Sequence, residues 1–178
     1  AEEIPDLVKH AFVSAEDQNF YTHPGYDIRG IAAAAVDAVQ SRGQELRGAS
    51  TITQQVMKNF LLDGSRTAER KIKEIILAVR IERAMDKERI LELYLNEIFL
   101  GQNSYGVAAA AQVYFNKPLA DLTAGEAAYL AALAQRPGNL HPVRQLEDAT
   151  NRRNYVLREM FQNGYIDEAT LEVERAMR

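Results

Sequence analysis

Two carboxylates in unlike surroundings are the first candidates for chemistry. Glu16 opens the stretch EDQNFYTHPGYD, and Glu74 closes RKIKE, which begins at Arg70. The spacing of Leu7, Val8, Ala11, Phe12 and Ala15 predicts a largely buried helix that ends near Asp17 to Phe20. Glu16 then sits at its last turn, beside Phe20 and Tyr21. A helix C-terminus disfavours an anion and apolar neighbours desolvate it, and both effects raise a carboxyl pKa. A general base working near neutral pH needs that shift. A surface Glu-Asp pair capping a turn would show the same residues.

Glu74 has the opposite setting, with Arg66, Arg70, Lys71 and Lys73 around it. Arg70 and Glu74 are spaced i, i+4 on a helix expected from about Thr67 to Ala84, with Ile72, Ile75 or Ile76, and Val79 as its core stripe. Such a bed of cations suits an anionic ligand, although a solvated helix face would carry the same charge run. Between the two acids lies GASTITQQVMKN, Gly48 to Asn59. Ser50 is the expected N-cap of this helix. Thr51, Gln54 or Gln55, and Lys58 recur along its polar side, and free N–H groups at its start favour anions. Hydroxyls and amides there suit sugars and phosphates. The three stretches are expected to form one site of two carboxylates and a cation bed.

The elements that must carry these residues are all helical. Ile28 to Val39 reads as an alanine-rich amphipathic helix, and Gln40 to Arg47 as a loop between Gly43 and Gly48, either a mobile flap or a plain connector. After Asp86 a helix runs through Leu91 and Tyr94 to Gly101. GQNSYG lacks the Lys-Ser/Thr of a phosphate loop and reads as a turn. The row VAAAAQVYF implies close helix packing. Thr123 and Glu126 form a capping box, a long helix spans about Leu146 to Asn163 before Gly164, and Asp167 caps a last short helix. No long strand-like alternation occurs, so the expected fold class is all-α.

Composition narrows the classes. The 178 residues suit one domain, and the absence of cysteine excludes a disulfide framework or a thiolate-bound metal. The net charge of −4 hides a basic segment: residues 42–89 hold eleven Lys or Arg against seven Asp or Glu. A basic patch in an acidic chain points to an anionic ligand more than to nucleic acid. His10, His23 and His141 are too scattered for a metal set or a Ser-His-Asp triad. No apolar run is long enough to span a membrane.

The chain resembles the peptidoglycan glycosyltransferase domain of class A penicillin-binding proteins and monofunctional transglycosylases. The matching pieces are EDQNFYTHPGYD, GASTITQQVMKN, RKIKEIILAVRIE, KERILELYLNEIFLGQNSYGVAAAAQVYFNK and RPGNLHPVRQLEDATNRRNYVLREM, in family order across residues 16–160. The resemblance implies a lysozyme-like helical fold with a smaller membrane-facing jaw, about residues 26–47. It implies Glu16 as general base and Glu74 as the second essential carboxylate. Ser50, Gln54, Gln55 and Lys58 match substrate-contacting positions; Arg66, Arg70, Lys71 and Lys73 fall where the family engages diphosphate. Asp17, Asn19 and His23 belong to the first motif with less defined roles.

The implied reaction polymerises lipid II into glycan strands by inverting transfer, releasing undecaprenyl diphosphate. No cofactor is obligatory, with a Mg or Mn ion near Glu74 as an option. The implied partners are lipid II, the growing strand and the membrane surface, without nucleic acid. The implied location is the outer face of the bacterial cytoplasmic membrane, with an N-terminal anchor helix outside this chain. Residues 161–178 resemble a lead-in to a transpeptidase domain. Two rivals stand beside this reading. A glycan-cleaving enzyme of the same fold would need no diphosphate patch, and a non-enzymatic binder of anionic polymers would need no desolvated Glu16.

Overall fold

The computed structural model describes residues 3–28, 50–60, 68–135 and 146–176. The expected jaw beyond Ile28, Arg66 and the RPGNLHP loop lie outside the described residues. Within them the chain is all-α, as expected, with helices α1 (Asp6–Glu16), α2 (Ile52–Phe60), α3 (Ala68–Ala84), α4 (Lys87–Glu97), α5 (Val107–Phe115), α6 (Ala124–Gln135), α7 (Leu146–Gln162) and α8 (Glu168–Ala176). They divide into two compact units, one built from residues 1–18 and 95–178, the other from 19–94.

In the first unit α6 is the central helix, packed on α1, α5, α7 and α8. Its sequence AGEAAYLAALAQ has apolar residues on every side, and a helix of that kind is stable only when surrounded. Ala127, Ala128, Leu130, Ala131, Ala132 and Leu133 are all fully buried, as are Val8, Ala11 and Phe12 of α1 and Val156, Leu157 and Met160 of α7. Small alanines let the axes approach closely, so α1, which ends in Glu16, rests on a closely packed helix. The expected capping box is present: Glu126 N–H donates to Thr123 Oγ1 (3.1 Å) and Thr123 N–H to Glu126 Oε1 (3.0 Å). Asp167 caps α8 through Thr170 N–H at 2.7 Å.

GQNSYG is a turn. Phe99 and Tyr105 bridge across it, Leu100 N–H donates to Ser104 O (2.9 Å), and Gly106 N–H donates to Ile98 O (2.7 Å). Gly106 has φ +89°, and a Cβ there would lie 2.5 Å from Asn96 O. The glycine is therefore required by close backbone approach, not by a phosphate.

The second unit packs α2 against α3, with the loop from Asn19 to Asp27 laid on them. Here the expected core stripe of α3 is corrected. Ile72 and Ile76 are 58% and 47% exposed and Ile75 and Val79 half-buried, whereas Glu74 and Ala78 are buried. The helix turns Lys71, Glu74, Ala78 and Glu82 inward instead. At 100° per residue these four share one face: Lys71 meets Ser50 ahead of α2, Ala78 meets the loop at Gly25, Glu82 meets Thr53 of α2, and Glu74 is held by Lys71.

Candidate active site

Glu16 is the last residue of α1, where the expectation placed it, and its Oε1 is shut away from solvent. Asp17, the C-cap, is buried, and its N–H closes the helix on Val13 O at 2.9 Å. Both belong to the first unit. The remaining described candidates lie in the second.

There the first motif's loop is tied down at several points. Asn19 Nδ2 donates to Asp27 Oδ2 (3.0 Å), and Gly25 O accepts from Thr51 Oγ1 (2.9 Å). Gly25, with φ +120°, presses against α3: a Cβ would meet the Ala78 carbonyl at 2.8 Å. The loop lines a cleft of about 330 Å³ with Asn19, Thr22, His23, Tyr26 and Asp27.

The start of α2 corrects the expected cap. Thr51, not Ser50, caps the helix: Gln54 N–H donates to Thr51 Oγ1 (3.0 Å), and Thr51 N–H donates to Gln54 Oε1 (2.8 Å). Both Ser50 and Thr51 can cap, and Gln54 three residues after Thr51 completes a reciprocal box only with the threonine. Ser50 is thereby released to accept a hydrogen bond from Lys71 Nζ. Lys71 also reaches Glu74 Oε1 at 3.2 Å. Ser50, Lys71 and Glu74 thus form one cluster between the start of α2 and α3, with Glu74 only 4% exposed.

The other candidates divide by exposure. Gln54 is fully buried, its carbonyl is held by the cap, and among the described residues no acceptor meets its Nε2. Gln55, Arg70 and Lys71 are half-buried, and Lys58 and Lys73 are exposed. Lys71 is the cation that reaches the buried acid, and with the other cations and amides of α2 and α3 it makes up a set that can hold an anionic, hydroxyl-rich ligand. Among the described residues no three His, Cys, Asp or Glu side chains converge as metal ligands.

A second cluster was missed. Lys87 Nζ donates to Glu82 Oε1 (2.9 Å) and His23 O (2.6 Å), and Glu82 Oε1 also accepts from Thr53 Oγ1 (2.6 Å). One signal could have found it. Lys87 is the first residue of α4, where the helix dipole disfavours a cation, so an inward partner was to be sought.

A family model described as Transglycosylase matches residues 1–161. Penicillin-binding protein 1A of Rickettsia prowazekii is 48% identical over 171 residues, covering 95% of this chain and 22% of that protein. Its counterpart in Vibrio cholerae is 47% identical over 175 residues, 98% of this chain and 21% of the relative. That of Aquifex aeolicus is 50% identical over 165 residues, 93% and 23% respectively. A crystal structure of penicillin-binding protein 1A from Haemophilus influenzae matches with a TM-score of 0.50 and 35% identity, over 70% of this chain and 16% of that one. The chain thus spans about a fifth of the length of these curated relatives.

Proposed function

The chain belongs to the transglycosylase family, and from that premise we propose that it is a peptidoglycan glycosyltransferase that polymerises lipid II into glycan strands. The observation that carries the reading is the Ser50–Lys71–Glu74 cluster around a buried acid, on a chain that also places Glu16 at a helix C-terminus.

In this reading Glu16 takes the proton from the 4-hydroxyl of the acceptor sugar. That oxygen attacks the anomeric carbon of the donor strand from the face opposite the leaving group. A new C–O bond forms, the bond to the diphosphate breaks, and undecaprenyl diphosphate departs with the electron pair. The transition state has oxocarbenium character, with negative charge growing on the leaving diphosphate. Lys71, Arg70, Arg66 and Lys73 are the groups proposed to meet that charge, with Ser50, Gln54, Gln55 and Lys58 binding the substrate. Removing one such stabiliser costs about 10²–10³ in rate. Glu74 keeps Lys71 in place through the 3.2 Å pair.

A divalent cation near Glu74 fits this donor set poorly. Among the described residues Glu74 belongs to no group of three or more His, Cys, Asp or Glu that could hold a metal, and Lys71 already brings positive charge there. No step is routed through a metal. The proposed location is the outer face of the cytoplasmic membrane, where a lipid-linked substrate is met; among the described residues no helix is long and apolar enough to cross it. The parent protein is proposed to carry a transpeptidase domain, in keeping with the much greater length of the relatives.

The glycan-cleaving alternative is separated by one assay with two substrates. The chain should convert labelled lipid II into long strands and leave finished glycan intact. Degradation of finished glycan without polymerisation of lipid II would refute the reading.

A further inference from the structure

We propose that Lys87 and Glu82 are positioning residues for this transfer, and that their ion pair clamps the first-motif loop onto α2 and α3 through His23. The inference rests on the functional reading above. Lys87 is four-fifths buried at the start of α4, and the Glu82 side chain is 8% exposed. An ammonium has three protons to place, and three acceptors surround this one: Glu82 Oε1 at 2.9 Å, His23 O at 2.6 Å and His23 Nδ1 at 3.2 Å. The same Nζ lies 4.8 Å from the centre of the Phe20 ring. Glu82 in turn holds Thr53, a buried residue in the first turn of α2. One acid–base pair therefore joins the loop, α2, the end of α3 and the start of α4.

The pair also sets the state of His23. Gly25 N–H donates to Nδ1 at 3.1 Å, and Lys87 faces the same nitrogen. Two donors on Nδ1 require it to be an acceptor, which puts the proton of the neutral ring on Nε2. A buried ion pair is seldom more stabilising than an apolar pair of the same shape. Its use here is accounted for by geometry: it fixes the turn His23–Gly25, and Gly25 O takes the hydroxyl of Thr51, next to Ser50 of the Lys71–Glu74 cluster.

The test compares the wild-type chain with Lys87→Met, Glu82→Leu, the double variant and Lys87→Arg. Melting temperature, kcat and KM for strand synthesis from lipid II, and the ¹⁵N signals of His23 are measured for each. Each single apolar variant should melt lower, because it leaves one buried charge without its partner. The double variant should recover the melting temperature while kcat stays down about 10²-fold, the order expected from misplacing a reacting group by about an ångström. Lys87→Arg should fail to rescue kcat, since a planar guanidinium cannot direct three protons from one nitrogen. His23 should report the Nε2–H form in the wild type and a mixture of tautomers in the double variant. Recovery of both melting temperature and kcat in the double variant would overturn the proposal. If the wild type itself makes no strands, the functional reading fails, and the His23 signals still decide the clamp: an unchanged tautomer in the double variant refutes it.

Discussion

At Glu74 the buried carboxylate receives its charge partner from Lys71, three residues back on the same helix. Lys71→Met should therefore lower stability by about 1–3 kcal/mol, the cost of leaving a buried acceptor without its donor. It should also weaken binding of a diphosphate-lipid analogue; denaturation and titration read the two effects separately, and unchanged affinity would remove Lys71 from the leaving-group site. Ser50 and Thr51 offer a sharper contrast. Thr51→Ala loses the α2 cap and should cost about 1 kcal/mol, whereas Ser50→Ala should leave helix stability nearly intact. Both residues were legible as candidates. Which one caps was decided by Gln54, and the T-x-x-Q pattern was there to be seen. The Lys87–His23 contact was harder to see, because its two residues lie 64 positions apart and nothing local to either names the other.

The inner face of α3 shows how an element can be recognised and still be turned wrongly. Its span was close to expectation, but apolar periodicity selected Ile72, Ile75 or Ile76, and Val79, of which Ile72 and Ile76 are exposed and Ile75 and Val79 only half-buried. The face that packs is charged, because Lys71 and Glu82 find partners on α2 and its leading residue, and Ala78 admits the backbone of Gly25. Periodicity counts apolar residues and cannot anticipate acids satisfied from another element. Two substitutions test the orientation by urea denaturation. Ile76→Ser should change stability by no more than about 0.5 kcal/mol, as exposed positions do. Gly25→Ala should cost at least about 1–3 kcal/mol from backbone strain alone, besides the clash with Ala78. Equal effects would mean the helix is turned the other way. At α8, hydrogen bonds from Thr170 hold the Asp167 carboxyl below the usual carboxylate range. The cap's contribution is thus present above the ordinary carboxylate pKa and lost as pH falls through the lowered value. The protection of the Thr170 amide, its exchange measured against the intrinsic rate at each pH, should fall over that acid range and stay constant between pH 5 and 8.

For the whole molecule, the fold class was legible because every long periodic segment was helical. The family was legible from five motifs in order. The candidate site was legible in part: α2, the Glu74 helix and the first-motif loop come together inside the second unit, while the clamp beneath them was not foreseen. The central claim is that this chain builds glycan strands with Glu16 as the base. The direct measurement is strand synthesis from labelled lipid II by the wild-type chain and by Glu16→Gln, with matched helical content and melting temperature. The account predicts long strands from the first and a loss of at least about 10²-fold in the second. Strand synthesis by Glu16→Gln at the wild-type rate would contradict it.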